Sequence, residues 1–406
     1  MRGMSLALIA ALLAGAVWAD ETALLWRNSK TMWEVPKTYP IDGQSSADVK
    51  AMAVEGEPFE GRPTRFFAYW GLPKGASPTN RVPGIVLVHG GGGTAFDSWV
   101  RLWTARGYAA IAMDNCGGFP KTVKELGGPL RHAYSGPNGY GDRNFSLVDR
   151  PLTDQWTYHA VSTVIRSHSF LRSLPEVDAR RIGITGISWG GYLTACAAGI
   201  DDRFAFAVPV YGTAYLYDHS LWSDMMRSLG EKGRRWDELW DAKNFLPAAR
   251  MPVLWVSGSN DKFFPLDSLR RSCDLLRDAP RLAIRANMSH GHPPAGDPRE
   301  ITAFADHFAF GRSAFPEVTV TRSGRKLVVK WNVFGRMVKK AELILTTSSE
   351  PKWCRRPYVA RTLPFEADGL VCPFPDDAVV FWINVTCDDG LVASSRIFQI
   401  RSGSRE

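Results

Sequence analysis

Arg181-Ile182-Gly183-Ile184-Thr185-Gly186-Ile187-Ser188-Trp189-Gly190-Gly191 reads as an apolar strand that runs straight into a glycine-flanked serine. Residues 192–198, which follow, have the composition of a helix. A nucleophile that must stand above a sheet sits on a strained turn between strand and helix, and small residues on both sides relieve the crowding. Gly186-x-Ser188-x-Gly190 supplies those small residues, so Ser188 is read as a nucleophile. The competing reading is an ordinary glycine-rich turn, because G-x-S-x-G also arises by chance.

Outward from this segment, short apolar runs at 84–88, 109–113, 182–187, 205–210, 253–256 and 282–286 have the build of buried parallel strands. Segments 49–55 and 65–71, around Gly61-Arg62-Pro63, read as an antiparallel hairpin entering the same sheet. Helical spacing separates the strands. It is clearest over 154–174, where Ala160, Val161, Val164 and Ile165 fall on one face, and a further helix is expected at 298–310. This alternation predicts an α/β fold: a mostly parallel sheet with helices on both faces and chemistry at the carboxyl ends of the strands.

His89-Gly90-Gly91-Gly92-Gly93 follows the strand at 84–88 directly. Backbone N–H groups fixed close to a carbonyl stabilise the charge that grows on its oxygen during attack, and glycines let the chain come close. Gly91, Gly92 and the N–H of Trp189 are the expected oxyanion hole, with His89 supporting the loop. A phosphate-cradling loop would need a following Gly-Lys-Ser/Thr, which is absent.

A serine hydroxyl needs a base, and the base needs an acid to hold one tautomer. Asp261 lies just after the strand at 253–256, where the alternative role is that of a turn former. Met288-Ser289-His290-Gly291-His292 follows the next strand. His290 is nearer the strand end and is the favoured base, with His292 as the alternative. No carboxylate or cysteine sits at ligand spacing around this H-x-H pair, so no metal and no cofactor are expected. His132, His159, His168, His219 and His307 lie off these loops and read as structural or exposed.

The combination of 89–94, 186–191, Asn260-Asp261 and His290-Gly291-His292 resembles the acetyl xylan esterase and dienelactone-hydrolase-like branch of the α/β-hydrolases, which is similar to the prolyl oligopeptidase catalytic domain. The likeness spans roughly residues 45–311. It implies a carboxylic-ester substrate, with acetyl groups on a plant or algal polysaccharide as one class. Dienelactone hydrolases use a cysteine nucleophile, where this chain has Ser188, and the large propeller of prolyl oligopeptidases is missing.

Composition sets the remaining bounds. The 406 residues, 45% hydrophobic and 22% charged, suit an ordered chain of two domains. Residues 1–19, with Arg2, an apolar run over 6–17 and small residues before Asp20, read as a cleavable export signal, hence a secreted or periplasmic protein without stable membrane insertion. The catalytic domain is expected over 20–315. From 316 to 406, runs at 318–320, 326–331, 341–346, 378–385 and 391–400 predict a small all-β sandwich of immunoglobulin or fibronectin type, similar to what some exported bacterial relatives carry. The net charge of +8 is scattered, with no nucleic-acid-reading module. Of six cysteines, Cys354 and Cys372 are the pair to test for a disulfide.

Two insertions over the catalytic edge, 116–151 and 213–245, are where substrate selection is expected. The second carries Tyr215, Tyr217, Trp222, Trp236 and Trp240, which either stack on a sugar ring or pin the insertion to the core; spacing does not separate these. Trp156, Tyr215 and Trp222, beside Trp189, are the expected substrate-binding aromatics. Three functions follow: a serine esterase acting on a small-molecule or carbohydrate ester, an exported serine peptidase gripping its substrate through Asp224, Glu231 or Arg234, and a non-catalytic carbohydrate-binding protein.

Overall fold

Nine strands build the first part of the sheet: β1 (Thr38–Pro40), β2 (Lys50–Glu55), β3 (Arg65–Gly71), β4 (Val82–Val88), β5 (Ala109–Met113), β6 (Val177–Ile187), β7 (Ala207–Val210), β8 (Leu254–Gly258) and β9 (Arg281–Arg285). The computed structural model describes residues 22, 25, 26, 28–118, 131–139, 143–291 and 299–400. The expected export signal, His292 and parts of the insertion at 116–151 lie outside the described residues. Strand order is β1-β2-β3-β5-β4-β6-β7-β8-β9, antiparallel from β1 to the β3–β5 pair and parallel thereafter. Every residue of β5, β7 and β8 is buried, which is why these strands are apolar runs and not alternating patterns.

In the helix Trp156–Ser173 the face with Ala160, Val161, Val164 and Ile165 is buried, and so is the rest of residues 156–171. The amino-terminal segment covers the side away from the sheet: Trp26 stacks on Tyr158 at 5.9 Å and Arg166 donates to Thr31 O at 2.9 Å. Two of its buried charged or titratable side chains are paired inside. Arg166 pairs with Glu57 at 2.9 Å, and His168 with Asp201 at 2.9 Å.

His159 on this helix donates through Nε2 to Thr153 O at 2.8 Å, and burial pushes its imidazole down to about 4 from 6.5. A histidine kept neutral by the fold contributes stability that is intact above the unfolded value and is lost as the pH falls from 6.5 through about 4. Replacing His159 by Gln keeps a donor for Thr153 without the titration. The parent is expected to lose about 1–2 kcal/mol more than His159→Gln between pH 7 and pH 4.5, read by chemical denaturation. Equal losses would refute it.

Beyond the helix Arg299–Phe310 come β10 (Glu317–Ser323), β11 (Lys326–Asn332), β12 (Val338–Thr346), β13 (Val359–Thr362), β14 (Gly369–Pro373), β15 (Val380–Cys387), β16 (Val392–Ser394) and β17 (Phe398–Gln399). β10-β11-β14 form one sheet, facing β16-β15-β12-β13 across Leu327, Val329, Leu343, Phe381 and Ile383. The run expected at 391–400 is two short strands, and β13 and β14 are additional to the expected set. β16 pairs with β9 through Ser394 and Leu282, so one sheet runs from β1 to β13 across both regions. All six cysteines are free, so Cys354 and Cys372 are not joined. Among the described residues no helix is long and apolar enough to cross a membrane.

Candidate active site

β6 ends at Ile187, and Ser188 turns the chain with φ 58° and ψ −121° before the helix Trp189–Ile200 begins. Such a backbone is costly for a non-glycine residue and persists only where its surroundings over-determine it. Ser188 N donates to Val210 O of β7 at 2.9 Å, and Ser188 O accepts from Tyr192 N at 2.9 Å. Crowding explains the flanking glycine, since a Cβ at Gly190 would run into the Val88 carbonyl at the end of β4.

The loops after β8 and β9 bring the other two side chains in. Asp261 is fully buried; its Oδ1 accepts from Phe263 N at 2.7 Å and Phe264 N at 3.0 Å. Its Oδ2 lies 2.7 Å from His290 Nδ1, and His290 Nε2 lies 2.9 Å from Ser188 Oγ. A carboxylate only accepts, so the network assigns the proton to Nδ1 and leaves the Nε2 lone pair facing the serine hydroxyl. The structure thus joins Ser188, His290 and Asp261 in one hydrogen-bonded line.

Two residues that sequence reasoning missed hold the imidazole. Phe263 packs on its ring at 4.5 Å and Tyr211 at 4.9 Å, and the Tyr211 hydroxyl donates to Gly291 O at 3.0 Å. Burial, followed by the Asp261 charge, pushes that hydroxyl up to about 12, keeping it a donor at neutral pH.

The glycine loop passes directly beside the nucleophile. A Cβ on Gly90 would lie 2.8 Å from Ile187 O and 3.0 Å from Ser188 Cβ, so Gly90 is the loop residue against the nucleophile. Gly91 packs on the Trp189 ring, where a Cβ would be 2.7 Å from Cδ1, while Gly92 makes the turn with φ +73° into open space. Trp189 N is the first N–H of its helix and has no intrahelical acceptor. His89 is buried beneath the loop. Its Nδ1 contacts Gly90 O at 2.7 Å and its Nε2 accepts from Asn115 N at 3.1 Å.

Aromatic rings line one side of the site. Trp189 touches Trp222 at 4.7 Å and meets Trp156 edge-on at 5.6 Å; Trp222 continues to Phe263 at 5.6 Å. Trp156 is only 6% exposed and donates from Nε1 to Asn115 O at 2.8 Å, forming the floor of this wall. Tyr215 departs from the expected placement: it lies 3.6 Å from the Arg271 guanidinium, anchored by its N–H to Asp241 at 2.9 Å, and is not one of the wall's rings. Trp236 and Trp240 are fully buried and pin the insertion to the core. Asp224, Glu231 and Arg234 are exposed, and Asp224 pairs with Lys352 at 3.4 Å. No group of metal-ligating side chains stands together among the described residues.

Residues 134–316 match the model of the Prolyl oligopeptidase family. Acetyl xylan esterase from Paenibacillus sp. R4 shares the fold with a TM-score of 0.57 at 20% identity, covering 70% of this chain and 94% of that one. The chain has the α/β-hydrolase fold. Among curated relatives, the chain is 25% identical over 241 residues to the uncharacterized peptidase YuxL of Bacillus subtilis, covering 54% of this chain and 32% of that protein. It is 24% identical over 184 residues to Acetyl esterase Axe7A of Xylanibacter ruminicola, covering 40% and 38%. The matches therefore span about a third of the length of each curated relative.

Proposed function

We propose that this hydrolase cleaves carboxylic esters through an acyl-Ser188 intermediate. The reading is carried by the line from Ser188 Oγ through His290 to Asp261, at 2.9 and 2.7 Å. As Oγ attacks the ester carbonyl carbon, its proton passes to His290 Nε2, and the charge on the carbonyl oxygen falls to Trp189 N–H and the loop at Gly90 and Gly91. The carbon–oxygen bond then breaks, His290 gives its proton to the departing alcohol, and Ser188 holds the acyl group. A water molecule, deprotonated by His290, releases the acid and restores the serine.

Acetylated polysaccharide or its oligosaccharides is the substrate class we propose, with Trp222 offering the apolar face that sugar rings stack on. The acetyl esterase relative supports this. We place the reaction outside the cytoplasm, on the reading of residues 1–19 as an export signal, with residues 20–315 as the catalytic domain and 316–406 as an accessory one. The family match favours a peptidase as the second reading. Acetate release from acetylated xylan and hydrolysis of 4-nitrophenyl acetate, compared with an aminoacyl anilide, decide between them. Ester turnover is expected to dominate. Dominant anilide cleavage would make the protein a peptidase, and turnover of none would leave a binding protein.

A further inference from the structure

The loops that carry Asp261 and His290 both rest on the segment between β12 and β13. Asn260, the neighbour of Asp261, donates through Nδ2 to the carbonyl oxygens of Cys354 and Arg356, each at 3.0 Å. Its Oδ1 accepts from Ser259 Oγ at 2.6 Å, which fixes the amide's orientation. Asn287, three residues before His290, donates to Tyr358 O at 2.9 Å and accepts from Tyr358 N at 3.4 Å. Two loops leaving adjacent strands are thus pinned to one short segment, residues 354–358.

That segment is itself firmly seated. Arg356 and Tyr358 are 5% and 3% exposed, and the Tyr358 ring packs on Trp382 of β15 at 5.3 Å. A second tie holds β9, the strand that feeds the histidine loop. Asn384 donates to Ile284 O at 2.9 Å, and Ser394 Oγ accepts from Ile284 N at 2.8 Å while donating to Asn384 Oδ1 at 2.7 Å. Without β16, β9 would be an outer strand with unpaired backbone groups.

We propose that Asn260 and Asn287 are positioning residues, through which the C-terminal region, by its segment 354–358, sets the alignment of Asp261 and His290 on Ser188. The inference rests on the reading of those three residues as a catalytic line. Catalysis of this kind depends on sub-ångström placement, so freed loops would leave every group present and poorly aligned. Trp189 and Trp222, the part of the substrate wall carried on other segments, would keep their contact at 4.7 Å. The step lost is turnover, not binding.

The test uses the full chain with Asn260→Ala, Asn287→Gly and the double variant, glycine being chosen because Asn287 has φ 56°. Arg361→Ala, which removes an exposed pair with Asp377 on the same C-terminal sheet, is the control. Competent sites are counted by burst titration with an aryl phosphonate, and kcat and KM are measured with 4-nitrophenyl acetate. The double variant is expected to lose about 10- to 100-fold in kcat per titrated site with KM within about threefold, and the control to match the parent. Unchanged turnover per titrated site overturns the proposal even if the melting temperature or the number of sites falls, since that is what a merely structural tie would give. A parent that never reacts with the phosphonate instead overturns the esterase reading, and this inference with it.

Discussion

Replacing Ser188 by Ala is expected to cut ester turnover by about three orders of magnitude or more, with the fold intact. The hydroxyl is the group that both attacks and is deprotonated, and it lies 2.9 Å from His290 Nε2. The variant keeps the Cβ that Gly90 packs against and the backbone bonds to Val210 and Tyr192, so its melting temperature should stay near the parent's. Residual activity would come from water attacking a carbonyl already polarised by the loop N–H groups. Steady-state hydrolysis of 4-nitrophenyl acetate reads the effect, and phosphonate labelling should vanish with it. Turnover equal to the parent's would remove Ser188 from the chemistry.

Strands buried on both faces must be apolar throughout, so β4 to β9 were legible as runs, and with them the places where loops could carry chemistry. Ser188, Asp261 and His290 each follow such a run within a few residues, which made the three readable although they are far apart in the chain. The glycine loop was harder. Four consecutive glycines at 90–93 have no side chains to distinguish them, and only the contact with Ile187 O identifies Gly90 as the residue against the serine. Among the aromatics of the second insertion, Trp222 reaches the wall while Trp236 and Trp240 fill the core, a difference that depends on tertiary packing and not on spacing. Asn260 stands out in the sequence only as the neighbour of Asp261, and Asn287 does not stand out at all. Their bonds to Cys354, Arg356 and Tyr358 cross 71 to 96 positions of chain, and no local pattern records them.

Asp261→Asn is expected to be nearly as damaging as loss of the serine, although it changes neither shape nor packing. Oδ1 is committed to the N–H groups of Phe263 and Phe264, at 2.7 and 3.0 Å, and an asparagine would keep those bonds with its carbonyl oxygen. The amide nitrogen is then forced to the Oδ2 position, 2.7 Å from His290 Nδ1. Two donors cannot face each other there, so the imidazole must adopt the other tautomer, with Nδ1 accepting and Nε2 carrying the proton. Nε2–H pointing at Ser188 Oγ cannot take the serine's proton. A fall in kcat of about 10³- to 10⁴-fold follows, with KM and the melting temperature little changed. If kcat stays within about tenfold of the parent in a fully folded variant, Asp261 does not select the tautomer.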